Sequence, residues 1–297
     1  MQADATACFR LDRAGVRRAF DRASPGYDAA AVLQARVRTE LLKRLDLVPL
    51  APRVILDLGA GTGAGARELK RRYRRASVVA LDLSSGMLRQ ARRHSRPFAR
   101  FARVCGDALR LPLKSASVDL VFSNLMLQWC DDLEAAVAEI RRVLRPDGFF
   151  SFTTFGPDTL TELRAAWSAA DAEPHVNLFL DMHDIGTVLM RAGLTEPVLD
   201  VERTSVTYAD VRALVRELKA IGAHNVAQAR ARGLTGKLKW QAMTAAYESF
   251  RTGAGLPASY EVVYGAAWGG LGRRLSPLHA AEAHVAVSDI GRRRPRS

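Results

Sequence analysis

The residues best placed to do chemistry lie in VILDLGAGTGAG, Val54 to Gly65. Three apolar β-formers lead into Asp57, and Gly59, Gly61 and Gly63 alternate after it. A helical pattern then runs from Ala64 to about Tyr73. Strand, glycine turn and helix in that order make the first βα unit of a doubly wound sheet. Glycine suits such a turn because it takes φ values that a side chain resists and lets a ligand touch bare backbone. The free N–H groups at the start of the helix favour an anion. Together these features predict a site for a small cofactor with a negative end. Asp82, closing the next apolar strand, suits that site because an acid there accepts hydrogen bonds from ribose hydroxyls.

Elements on both sides must position this turn. Leu11–Ala23 and Tyr27–Leu47 read as helices, the second with Leu33, Val37, Leu41 and Leu45 along one face. Ser24-Pro25-Gly26 separates them, and a loop there, with Tyr27 at its edge, would fold over a ligand. Strands are expected at 54–58, 78–83, 101–105, 118–123 and 149–154. Between them come helices from a serine cap at about Ser85 and over 133–144, the latter stopped by Pro146-Asp147-Gly148. Repeated βα units of this length require right-handed crossovers and a parallel sheet. After Gly156, Asp158 reads as the cap of a helix through Trp167, and a further helix spans 184–192. A strand over 197–207, helices over 209–221 and 238–250, and a last strand over 260–264 complete the pattern.

The expected fold is therefore α/β, a doubly wound, mostly parallel seven-stranded sheet with N-terminal helices and a helical cap inserted before the last strand. Its divisions are a helical lead-in at 1–47, a catalytic domain at 48–270 with the cap at about 208–257, and a basic, disordered tail at 271–297.

Composition narrows the partners. The 297 residues are 48% hydrophobic, enough for a large core without disulfides, and no apolar run approaches a membrane span. The three cysteines, Cys8, Cys105 and Cys130, form no CxxC pair, which argues against a structural zinc and for a reducing compartment, the cytoplasm. His175 and His183 lack a third spaced ligand, so no metal is expected. A net charge of +13, with runs at Lys70–Arg75 and Arg292–Arg296, suits an acidic partner, protein or nucleic acid. Nucleic-acid binding would need exposed aromatics among the cations, and aromatics are only 7% of the chain.

The glycine pattern alone fits both a dinucleotide turn and the GxGxG of S-adenosylmethionine enzymes. Gly106-Asp107-Ala108 after the third strand, Asp119–Asn124 with Leu125–Trp129, and LRPDGFF into the fifth strand resemble, in order, elements of class I methyltransferases. That resemblance implies S-adenosylmethionine as the cofactor. It assigns Asp57, Gly59, Gly61, Gly63, Asp82, Leu83, Met87, Asp107, Ala108 and Asn124 to its binding. Met87 would pack on adenine, Asp107-Ala108 would meet its amino group, and Asp57 would serve the amino group of the methionine end or hold the turn.

Further stretches resemble the malonyl-[acyl-carrier protein] O-methyltransferase family of biotin synthesis. They are FTTFGPDTLTELRAAW (Phe152–Trp167), HVNLFLDMHDIGTVLMRAGL (His175–Leu194), LKAIGAHN (Leu218–Asn225), GLTGKLKW (Gly233–Trp240) and LPASYEVVYGAAW (Leu256–Trp268). The likeness spans roughly Phe20 to Trp268; the arginine-rich helix and the tail lie outside it. It implies methyl transfer to the free carboxylate of a malonyl thioester on an acidic acyl-carrier protein, met through a basic surface. A carboxylate ordinarily ionises at about pH 4 and needs no general base. Tyr27 over the sulfonium and His183 orienting substrate are the catalytic candidates, and Lys219, Asn225, Lys239 and Trp240 on the cap are the substrate candidates. Alternatives are a small-acid or RNA methyltransferase, or a protein-modifying factor resembling a respiratory complex I assembly factor.

Overall fold

The computed structural model describes residues 11–95, 100–173, 175–223 and 236–270. The chain opens with α1 (Arg13–Ala23), α2 (Tyr27–Ala30) and α3 (Val32–Arg44). Alternating elements follow: β1 (Val54–Leu58), α4 (Ala64–Arg72), β2 (Ser77–Asp82), α5 (Ser85–Arg93), β3 (Ala102–Cys105), β4 (Val118–Asn124), α6 (Leu133–Val143) and β5 (Leu144–Phe155). The last part holds α7 (Thr161–Ser168), α8 (Met182–Arg191), β6 (Thr195–Tyr208), α9 (Val211–Ala220), α10 (Lys237–Glu248) and β7 (Leu256–Trp268).

The seven strands form one sheet in the order β3-β2-β1-β4-β5-β7-β6. The first five run parallel, and β7 lies antiparallel between β5 and β6. Chain order reverses at β1, which pairs with β2 on one side and β4 on the other. Ligands in such sheets bind in the crevice beyond the carboxyl ends of the strands at that reversal. The glycine turn stands there because it leaves β1. Helices cover both faces. Leu33, Val37 and Leu41 of α3, Leu69 of α4 and Tyr247 of α10 share one core, and Val137 and Ile140 of α6 with Leu189 of α8 share the other.

Several boundaries differ from the sequence reading, each for a visible reason. The helix expected over Tyr27–Leu47 breaks at Ala31, where φ is −85° and ψ 47°. The short α2 is instead tied to the glycine turn by Thr62 Oγ1, which donates to Asp28 Oδ1 at 2.6 Å. Asp158 caps nothing: its N–H donates to the buried Glu261 carboxylate at 2.8 Å and its own carboxylate meets Arg203 at 3.0 Å, so α7 starts only at Thr161. α8 starts at Met182, before the expected 184, because Asp181 caps it by accepting the His183 N–H at 2.8 Å. β5 pairs with β4 from Leu144, five residues before the expected strand, across a bulge that holds Pro146 and Gly148. The long β7 likewise exceeds its expected core of 260–264 because β6 pairs with it as far as Tyr208↔Leu256.

The run from Lys70 closes a helix. Lys70 Nζ donates to the carbonyls of Arg74 and Ala76 at 3.0 and 2.7 Å, and Arg72 bonds Asp46. Asn225 and the tail over 271–297 lie outside the described residues. No helix among the described residues is long and apolar enough to cross a membrane.

Candidate active site

All three turn glycines take positive φ: 73° at Gly59, 54° at Gly61 and 78° at Gly63. Their missing side chains serve different ends. A Cβ on Gly59 would lie 2.2 Å from Met126 Cγ, and one on Gly63 2.9 Å from Ala91 Cβ, so these two glycines let the protein pack on itself. A Cβ on Gly61 would meet nothing within 4 Å; only there does the turn present bare backbone to open space. Gly59 and Gly61 line the cavities described below, and Gly63 lines neither of the two.

Two carboxylates flank the turn. Asp82 Oδ2 accepts the Gly61 N–H and its Oδ1 the Ser84 N–H, both at 2.8 Å, knitting the ends of β1 and β2 together. Enclosure raises its carboxyl to about 6 against those hydrogen bonds. Asp57, at the end of β1, is 2% exposed, and its Oδ2 has no hydrogen-bond partner. Burial pushes it up to about 7, opposed by the Ala66 N–H and the Arg38 charge. A buried acceptor left without a partner is destabilising by about 1–3 kcal/mol and marks a place for a donor.

Two cavities meet at the turn. The larger, about 600 Å³, takes in Gly59, Gly61, Asp82, Leu83, Met87, Asp107, Ala108 and Asn124. The smaller, about 280 Å³, contains Asp57, Arg38 and the first residues of α4, Ala64 and Gly65. Tyr27, Gln34, Gly59, Gly61 and Asn124 line both. Met87 forms an apolar wall and its N–H donates to Ser84 Oγ at 3.1 Å. Asn124 is fixed twice, its Nδ2 donating to Gln34 O at 3.2 Å and its Oδ1 accepting from Thr153 Oγ1 at 3.1 Å. Asp107 pairs with Arg13 of α1. Both side chains are partly exposed, and such a pair is worth only about 0.2–1 kcal/mol, too little to keep Asp107 from an incoming amino group. Enclosure and the carboxylates of Asp82 and Asp28 push the Tyr27 phenol well above its ordinary range, so it is a neutral hydrogen-bonding group at physiological pH.

The other end of the larger cavity is built by α7, the residues that follow it, α9 and α10. Trp167, His175, Asn177, Lys219 and Trp240 line it. The imidazole of His175 stacks on Trp167 at 3.7 Å between centroids and 12° between planes. Its Nε2 is 2.8 Å from Asp171 Oδ1, and Lys239 Nζ is 3.0 Å from Asp171 Oδ2. Burial opposes ionisation of Asp171, but the bonds from Lys239 and His175 outweigh it and hold the carboxyl below its usual range. The result is a fixed imidazole edge on an otherwise aromatic wall.

Of the residues expected to meet substrate, Lys219 and Trp240 line the cavity, while Lys239 does not, being engaged by Asp171. His183 is exposed in the first turn of α8 and is not brought to the cavity; its ring lies on the solvent side of a helix whose apolar residues, Ile185 and Leu189, face the sheet. Sequence reasoning missed Arg13, Phe20, Trp129, Asp131 and Asn177, all of which line the larger cavity. Phe20 and Trp129 meet edge to face at 5.1 Å, joining α1 to the loop after β4. The HVN sequence at 175–177 carried a signal for His175 and Asn177, but nothing local to Arg13 or Phe20 marked them. Among the described residues, no group of three or more His, Cys, Asp or Glu side chains is arranged to hold a metal ion.

The methyltransferase-domain family matches residues 56–152. Malonyl-[acyl-carrier protein] O-methyltransferase of Methylovorus sp. (strain MP688) is 53% identical over 90% of this chain and 92% of its own. The enzyme of that name from Laribacter hongkongensis is 51% identical over 89% of this chain and 91% of its own. Among solved structures, the YcgJ protein of Bacillus subtilis superposes with a TM-score of 0.55, covering 78% of this chain and 98% of that one at 17% identity. Phosphoethanolamine N-methyltransferase 2 of Haemonchus contortus, in complex with S-adenosyl-L-methionine, superposes with a TM-score of 0.51, covering 84% of this chain and 57% of that one at 19% identity. These two structures share the fold.

Proposed function

The chain belongs to the malonyl-[acyl-carrier protein] O-methyltransferase family, and from that premise we propose that it transfers the methyl group of S-adenosylmethionine to the free carboxylate of a malonyl group carried on an acyl-carrier protein. The ester so formed hides the charge and starts the pimeloyl chain of biotin. The observation that carries this reading is the joined pair of cavities. A buried acid with one unpartnered oxygen and an open glycine stand at one end, and an imidazole stacked on an aromatic wall stands at the other.

The residues present fit the cofactor. The unpartnered Asp57 Oδ2 supplies an acceptor for an ammonium group, while Arg38 and the start of α4 offer positive charge to a carboxylate in the same small cavity. Asp82 would accept from ribose hydroxyls, Met87 and Leu83 would sandwich adenine, and Asp107 would accept from its amino group. When bound, S-adenosylmethionine supplies an electrophilic methyl group on a sulfonium.

The protein's own task is then placement and exclusion of water. A malonyl carboxylate is ionised at neutral pH, so no side chain has to remove a proton. Tyr27, held as a neutral phenol where the two cavities meet, would orient the reacting groups by hydrogen bonding rather than as a base. His175 and Asn177 would hold the acceptor's oxygens, and Trp167 and Trp240 would keep water from them. Alignment and desolvation of this kind are worth several kcal/mol of barrier without acid–base chemistry.

The net charge of +13 supports association with an acidic carrier through a basic surface. Free cysteines at Cys105 and Cys130 support the cytoplasm as its place. No observation favours an RNA acceptor or a role in respiratory assembly. Incubation with methyl-labelled S-adenosylmethionine and either malonyl- or acetyl-carrier protein tests the reading. Label is expected on the malonyl form alone, as a base-labile ester; equal labelling of both overturns it.

A further inference from the structure

The cavity explains where a malonyl group would lie but leaves open where its bulky carrier rests. Cations are abundant, but several near the acceptor end are already engaged. Lys239 pairs with Asp171, Arg251 with Glu248, and Arg203 with Asp158 and Glu261. Arg212, Arg216 and Lys219 of α9 are exposed and form no ion pair with a described residue.

Their spacing is informative. At ~100° per residue, positions 212, 216 and 219 fall within a sector of about 60° on one helix face. Val211 and Leu214 bury the opposite side of α9, so the stripe points to solvent. The acid of this helix that stands nearest the stripe in sequence, Glu217, lies off it and accepts from the Tyr208 hydroxyl at 2.9 Å. Lys219, together with Val215 and Leu218, also lines the larger cavity. The stripe therefore runs along the outside of α9 and ends at the cavity wall.

We propose that the exposed face of α9 bearing Arg212, Arg216 and Lys219 is the docking surface for the acidic carrier protein, with Lys219 at the point where the carrier's arm enters the cavity. This rests on the reading of the acceptor as a malonyl group on a carrier. An anionic helix laid on this face gains three cations without first breaking an ion pair to any described residue. The phosphodiester at the root of the carrier's arm gives Lys219 a partner at the entrance. Charges at such a rim act mainly on association rate and its salt dependence.

The double variant Arg212→Glu/Arg216→Glu tests this with two acceptors, malonyl-carrier protein and malonyl-pantetheine, which has the arm but no protein. Both positions are exposed, and circular dichroism with S-adenosylhomocysteine affinity checks that the fold is intact. The expected result is a KM for malonyl-carrier raised about tenfold or more with kcat kept, a flatter salt dependence, and a KM for malonyl-pantetheine changed less than about twofold. An unchanged KM for malonyl-carrier, or an equal loss on both acceptors, overturns the docking surface. If the unaltered protein methylates neither malonyl acceptor, the reading of function falls and takes the docking surface with it.

Discussion

The two ends of the cavity are built on different plans. At the glycine end, the turn and its two flanking acids come from the ends of adjacent strands, β1 and β2, within about thirty residues of sequence. Asp57, Gly61 and Asp82 are joined by a sheet buried on both faces, with Ile55 and Leu56 fully enclosed. At the other end, long side chains from α7, α9 and α10 converge with Asp171, His175 and Asn177, held by the bonds of Lys239 and His175 to Asp171 and by ring stacking. The first plan gives positions that a small change destroys. The second gives positions that tolerate more change and, on the proposed function, would set which acceptor fits.

On that division, each end can be damaged without the other. Gly61→Val should have the largest effect. A side chain at φ 54° is strained by about 1–2 kcal/mol and would occupy the open space of the turn. S-adenosylhomocysteine affinity should fall at least ~100-fold by calorimetry, with Tm lowered by only a few degrees; retained affinity would remove the turn from the site. His175→Ala should lower kcat/KM for malonyl-carrier by roughly 10–100-fold, since Asp171 loses one of its partners and the wall its hydrogen-bonding edge. The same variant should bind S-adenosylhomocysteine within about twofold of the original, and a parallel loss there would show that the two ends are one unit.

Asp57→Asn separates binding from stability. The folded carboxyl sits at about 7, above its unfolded value of ~3.9. Folding therefore favours the protonated form, and the stability this group contributes is present below about pH 4 and lost as pH rises through about 7. The unliganded variant should melt higher than the original at pH 8, yet bind S-adenosylhomocysteine about tenfold more weakly there. Between pH 8 and 6 the original should lose affinity as Asp57 takes up a proton, whereas the variant's affinity should stay flat. A variant both weaker in binding and less stable at pH 8 would make Asp57 a scaffold residue only. His183→Ala should be the mildest, changing kcat/KM by less than about twofold; a tenfold loss would return this histidine to the site.

The same division governs what could be read in advance. Alternation of apolar strands and helices, glycine spacing and the acids at the ends of β1 and β2 are local signals, because strand, turn and helix geometry restrict residue types within a few positions. Hence the doubly wound fold and the placement of Asp57, Asp82, Met87 and Asp107 near one crevice were legible. The separate uses of the three glycines were not, because Met126 and Ala91 reach the turn from distant parts of the chain. In one continuous stretch the sequence reading chose His183 and gave His175 no role. Only helix phase and packing put the first in solvent and stacked the second on Trp167. Lys239 showed its charge but not its partner, Asp171, 68 positions earlier in the chain.

By itself, then, the sequence determined the order of the elements, the strand-turn-helix that would hold a cofactor, and a family of carboxyl methyltransferases. Tertiary structure alone decided that Arg13 and Phe20 of the first helix line the cavity, which cations are paired, and which stripe of α9 faces solvent with no ion pair to a described residue. Local steric rules act along the chain and leave a mark in it. Pairing and burial depend on groups that only folding brings together.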